Sequence, residues 1–273
     1  MSLKNFLRIT SRRSGVILSA LQLREKKERD ASGLCWAEGA VAAEYALSLD
    51  KKRIKKILLS EEATPKCQKL AEALAGPHCE AFLLTKECFE KASVLKNPEG
   101  LGLIVEPNPP LKPASPLPKG EPAACLWQLQ DPGNLGTIIR SAAAFGCRNM
   151  ILVEPCVSPL HPLAVRASAG AALDMDFMYL GEEEALAFLL PEKHRICALS
   201  GDGDALNIDF CYNKSDELVV SGNEPHGLPQ KVREALPLYS LPQKGRVESL
   251  NVTAASAIAY YLFWSLPKKR TQP

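Results

Sequence analysis

Three stretches in the second half of the chain place polar residues at spacings that could do chemistry. The first is Asp131-Pro132-Gly133-Asn134-Leu135-Gly136, which follows an apolar segment, turns on Pro-Gly and enters a helical pattern. Asn134 stands where an N-cap is expected. Arg140 then projects from the second helical turn, close to the face of Gly136 and Ala143. Taken alone, this is equally a strand–turn–helix with a surface arginine. In the second stretch, Gly222-Asn223-Glu224-Pro225-His226-Gly227-Leu228, the glycines would let backbone approach a ligand at a strand end. Glu224 between them could hydrogen-bond a cation or a hydroxyl; the same sequence also suits an ordinary glycine-containing turn. The third runs from Leu241-Pro242 through Gly245 to Ser249-Leu250-Asn251-Val252 and precedes an Ala-rich apolar helix. Its Ser-x-Asn reads either as helix-capping chemistry or as the polar edge of a small pocket walled by Leu250 and Val252.

These loops need a frame that brings them together. Apolar runs near residues 125–129, 150–153, 177–180, 196–199, 218–220 and 238–241 read as strands, each between segments of helical pattern, and residues 252–264 form the strongest helix. That alternation predicts a mostly parallel sheet with helices on both faces, and such sheets bind ligands beyond the carboxyl ends of their strands. Upstream, seven prolines between residues 107 and 122 preclude helix and central strand, and mark a semi-rigid spacer. Three parts follow: residues 1–106, a linker over 107–122, and residues 123–273. The first part is a smaller α/β domain, with a basic helix over 15–29, strands near 34–37, 54–60, 81–84 and 101–105, and helices over 40–48 and 64–74.

Composition narrows the function classes. The 273 residues are 46% hydrophobic and 23% charged, ordinary for a chain with a real core. The formal charge of +2 is not that of a nucleic-acid coat protein, but it is uneven: residues 1–106 hold 18 Lys/Arg against 14 Asp/Glu. A basic front half suits an RNA-gripping module, and equally a solvated surface. No G-x-G-x-x-G or G-x-x-x-x-G-K-[ST] occurs, which counts against a dinucleotide or phosphate-loop enzyme. The nine cysteines are scattered without C-x-x-C pairs and read as reduced thiols in a cytoplasmic compartment. His78, His161, His194 and His226 have no ligand-like spacing, so no metal is expected, and no apolar run approaches a membrane span. The acid-free first 24 residues are faintly similar to an organellar presequence, but they merge into a segment that reads as folded.

In this order the three stretches resemble the SpoU (TrmH-like) family of RNA 2′-O-ribose methyltransferases, whose motifs take the forms N-x-x-G-x-x-x-R, G-[SN]-E-x-x-G-L and [IL]-P-x-x-G-x-x-x-S-L-N-V. The chain departs in small ways. Gly136 comes two residues after Asn134, Pro225 stands where many members have glycine, and Thr253 replaces a frequent serine. Residues 166–171 look like the family's small-residue helix between its first two motifs, and residues 8–106 look like its ribosomal-protein-like substrate-binding domain. The resemblance implies a trefoil-knotted C-terminal domain, S-adenosylmethionine as cofactor, a homodimer, and RNA as substrate, with 23S rRNA favoured by the separate front domain. A tRNA ribose, a base acceptor, or a non-catalytic ribosome-binding module are the alternatives. It implies a catalytic set of Arg140, Asn134, Glu224, Ser249 and Asn251, and a cofactor-binding set of Leu199, Ser200, Gly222, Asn223, Glu224, Leu241, Leu250 and Asn251. RNA contact is expected at Arg12, Arg13, Lys26, Lys27, Arg29, Arg140 and Arg166.

Overall fold

The computed structural model describes residues 3–112, 117, 121–206, 218–223, 226–245 and 249–265. They form two compact units: residues 1–108 with 158–174, and residues 109–157 with 175–273.

The first unit is built on strands β1 (Leu7–Ile9), β2 (Cys35–Glu38), β3 (Ile54–Ser60), β4 (Glu80–Leu84) and β5 (Leu101–Val105). Their order is β1-β4-β3-β5-β2, parallel across β1, β4 and β3 and antiparallel across β3, β5 and β2. Helices α1 (Gly15–Gln22), α2 (Lys26–Ser32), α3 (Ala40–Ala46), α4 (Pro65–Leu74) and α5 (Lys86–Ala92) connect them. Ile17 and Ala20 of α1 and Phe89 of α5 join Trp36, Leu58 and Phe82 in one apolar core. Ile57 and Leu59 alternate with Leu58 and are just as buried, so both faces of β3 are covered. The basic helix expected over 15–29 is instead two helices. Arg29 reaches back from α2, and its guanidinium donates to the carbonyls of Leu23 and Arg24 at the break.

The second unit is a six-stranded, wholly parallel sheet: β6 (Ala123–Trp127), β7 (Asn149–Val153), β8 (Asp176–Leu180), β9 (Ile196–Ala205), β10 (Leu218–Ser221) and β11 (Leu238–Ser240), ordered β11-β9-β10-β6-β7-β8. Every residue of β6, β7 and β10 is buried, as central parallel strands covered on both faces require. Helices α6 (Pro132–Ala144), α8 (Glu182–Leu189), α9 (Gln230–Ala235) and α10 (Val252–Tyr260) belong to this unit. Helix α10 continues as a π turn over Tyr261–Ser265 and packs on α6 and β10.

Two segments behave differently from the expectation. Residues 158–174, which include α7 (Pro162–Ala167), leave the second unit and pack in the first, where α7 lies on β2. The proline-rich segment is anchored at its described positions. The Asn108 amide donates to Leu173 O, Leu111 bridges to Met178, and Leu111 and Leu117 pack on the second core. No described helix is long and apolar enough to cross a membrane.

Candidate active site

The carboxyl ends of β9, β10 and β11 surround a cavity of about 290 Å³ in the second unit. Strand β9 makes room for it. Its pairing with β11 jumps from Ala198 opposite Leu238 to Asp204 opposite Tyr239, so residues 199–203 bow out of register, and Leu199, Ser200 and Gly201 line the cavity. At the end of β10, Gly222 starts a tight loop closed by reciprocal backbone bonds between Asn223 and Gly227, 3.1 and 2.8 Å. A Cβ on Gly222 would lie 2.3 Å from the carbonyl carbon of Gly227, so only glycine lets the two limbs approach. Leu241, Gln243, Ser249, Leu250 and Val252 close the third side.

Of the residues expected to bind cofactor, Leu199, Ser200, Gly222, Asn223, Leu241 and Leu250 all line this one cavity, and so does Ser249 from the expected catalytic set. Glu224 lies outside the described residues. Asn251 is not in the lining. Its Oδ1 accepts from the Thr253 amide at 2.8 Å and hydroxyl at 2.6 Å, capping α10. The two readings of Ser-x-Asn therefore divide: Asn251 caps the helix and Ser249 faces the cavity. Asn134 is also displaced from its expected part. The N-cap of α6 is Asp131, whose carboxylate accepts from the Asn134 amide at 2.7 Å, and Pro132 takes the first helical position, where its missing N–H costs nothing. Asn134 is thus the third residue of α6 and half-buried, while Arg140 is exposed two turns further along.

The Asn223 side chain joins two of the loops. Its Nδ2 donates to the Gln128 carbonyl at 2.7 Å, while its Oδ1 is buried with no partner among the described residues. Gln128 holds that carbonyl in place with a left-handed φ of 55° just after β6. In the cavity wall the hydroxyl of Ser221 bonds that of Ser256 at 2.9 Å, tying β10 to α10. At the rim, Ser200 donates to Asp202, which also receives Arg233 in an ion pair. The Ser200 hydroxyl holds the Asp202 carboxyl below its usual range, with Arg233 adding a smaller push in the same direction. Gln128, Ser221, Arg233, Tyr239 and Gln243 are absent from the sequence-derived sets. Ser221 adjoins the motif Gly222 and Gln243 follows the motif Pro242, so both could have been found that way, but the other three carry no local signal.

Among the residues expected to contact RNA, Arg12, Arg13, Lys26, Lys27 and Arg166 are exposed, all in the first unit, as is Arg140 in the second. Arg29 is not available. It is 4% exposed, and its guanidinium is taken up by the carbonyls at the end of α1, so it is a structural residue of the first unit. The eight described cysteines are unbridged, and burial pushes Cys35 and Cys147 up to about 12, leaving them protonated and inert.

Residues 122–261 match the model of the SpoU rRNA Methylase family, and residues 17–102 that of the MRM3-like substrate binding domain. An uncharacterized tRNA/rRNA methyltransferase of Synechocystis sp. is 31% identical over 262 residues, covering 93% of this chain and 92% of the relative. The 23S rRNA (guanosine(2553)-2′-O)-methyltransferase RlmP of Bacillus subtilis is 26% identical, with 88% and 92% covered. The crystal structure of an AdoMet-bound rRNA methyltransferase from Sinorhizobium meliloti superposes with a TM-score of 0.75 at 27% identity, covering 94% of this chain and 96% of that one.

Proposed function

Because the chain belongs to the SpoU rRNA methylase family, we propose that it methylates a ribose 2′-hydroxyl of structured RNA, with 23S rRNA as the acceptor. It is an RNA methyltransferase that uses S-adenosylmethionine. The observation that carries the reading is the cavity into which two of the three motif loops bring Gly222, Leu241, Ser249 and Leu250, beside Leu199 and Ser200 from β9. The lining suits that cofactor. Leu199, Leu241, Leu250 and Val252 offer apolar walls to an adenine, Gly222 leaves backbone open to a ribose, and the buried Asn223 Oδ1 awaits a donor. When bound, the cofactor supplies an electrophilic methyl group on a sulfonium.

A ribose hydroxyl is a weak nucleophile near neutral pH, so the protein must help it lose a proton. Arg140 is the residue proposed for this step. As a guanidinium cation it holds the adjoining phosphate and stabilises the developing alkoxide, while the hydroxyl proton passes to solvent water. Ser249 and Glu224 orient the ribose, Asn134 steadies the turn that carries Arg140, and Asn251 acts by fixing the start of α10 behind Ser249. The exposed cations Arg12, Arg13, Lys26, Lys27 and Arg166 grip RNA; the match of residues 17–102, which include Lys26 and Lys27, to a substrate-binding domain supports rRNA over tRNA. The proposal includes a C-terminal segment threaded as a trefoil knot, and a homodimer formed across α6 and α10.

The test separates binding from transfer. Arg140→Ala should bind S-adenosylmethionine within about twofold of wild type in calorimetry, while methyl transfer to rRNA falls by roughly 10²-fold or more. Full transfer activity in that variant would overturn the assignment.

A further inference from the structure

Among the described residues that line the cavity, Arg233 is the one charged side chain. It comes from α9, the short helix after the Gly222–Leu228 loop, and it also borders the open groove beside the cavity with Asp202, Gln230 and Glu234. Arg233 is partly exposed, with 38% of its side chain accessible, and its ion-pair partner Asp202 is 59% accessible. An exposed pair of this kind is weak, so a second anion can share the guanidinium at little cost. Asp202 in turn is held by the Ser200 hydroxyl, which itself lines the cavity. The charges at the rim are therefore of opposite sign, whereas the rest of the described lining is apolar, hydroxyl, amide or bare backbone.

S-adenosylmethionine is just as asymmetric. Its adenosine end is neutral, and only its amino-acid end carries a carboxylate. We propose that Arg233 is the receptor for the carboxylate of the cofactor's amino-acid end, with Ser200 and Asp202 as positioning residues that hold its guanidinium over the cavity rim. This rests on the methyltransferase reading and deepens it: it fixes which way round the cofactor lies, with the amino-acid end toward α9. It also gives the enzyme a means of preferring an intact amino-acid tail over a truncated adenosine thioether.

The test is calorimetry on the full chain with S-adenosylmethionine, S-adenosylhomocysteine and 5′-methylthioadenosine, the last lacking the amino-acid end. Arg233→Gln should weaken the first two by roughly tenfold, the loss of one charge-assisted hydrogen bond, and leave 5′-methylthioadenosine unchanged. Arg233→Lys, which keeps the charge but not the planar fork, should recover part of the loss. Equal weakening of all three ligands, or unchanged binding of all three, would overturn the carboxylate assignment while leaving the cavity as the cofactor site. Failure of the wild-type protein to bind any of them would overturn the methyltransferase reading itself.

Discussion

Gly222 and Gly201 both line the cavity, yet the backbone around them makes opposite demands. A Cβ on Gly222 would strike the Gly227 carbonyl and the Leu228 amide, at 2.3 to 2.6 Å, whereas one on Gly201 would meet nothing within 4 Å. Gly222→Ala should therefore cost about 1–3 kcal/mol through overpacking against main chain and lose cofactor affinity. Gly201→Ala should leave thermal unfolding unchanged. A Gly222→Ala protein with wild-type Tm and affinity would show that the loop is not closed as described. Residue identity was informative here because the glycine sits in a motif. It was uninformative at Gln128, whose left-handed backbone nothing in its side-chain type announces, and misleading at Asn134, where Asp131 three residues earlier is an equally good cap and wins through the Pro132 that follows it.

At the scale of elements, long apolar strands were legible. The expected run over 54–60 is β3 to the residue, and the six expected in the second unit are all present with ends shifted by one or two positions, apart from β9. What escaped was short or set by distant contacts. Strand β1 has three residues and α5 seven, too few for either to show a period. The break between α1 and α2 has no Gly or Pro; it is stabilised by Arg29 bonding carbonyls five and six residues back. The same contact separates Arg29 from the exposed arginines. Arg29→Met should destabilise the protein by about 2–3 kcal/mol, because charge-assisted bonds to buried carbonyls are lost. Arg12→Ala with Arg13→Ala should leave Tm unchanged and weaken RNA binding, flattening its dependence on salt. Chemical denaturation and filter binding at two ionic strengths check both, and the reverse pattern would return Arg29 to the RNA-contacting set.

For the whole molecule, the alternation of strand and helix was enough to foresee a parallel sheet, and the cavity lies at the ends of its strands. It could not foresee the excursion of residues 158–174, since the small, apolar helix α7 would suit either core. The proposed homodimer would use what α10 and the turn after it leave uncovered. Ile258 is 42% and Tyr261 50% exposed, three residues apart on one face, and Tyr261 stacks edge-on against Phe145 at the end of α6. Apolar side chains of that size on a helix pair favour a second copy. Ile258→Asp with Tyr261→Asp should convert a dimer to a monomer in light scattering at micromolar concentration, and a wild-type monomer under the same conditions would refute the assembly. The most direct measurement of the central claim labels the product. Unmodified rRNA incubated with the protein and methyl-labelled S-adenosylmethionine, then digested to nucleosides, should carry its label in a 2′-O-methylnucleoside and lose that label with Arg140→Ala. Label in a base-methylated nucleoside, or none in RNA at all, would contradict ribose methylation as the reaction.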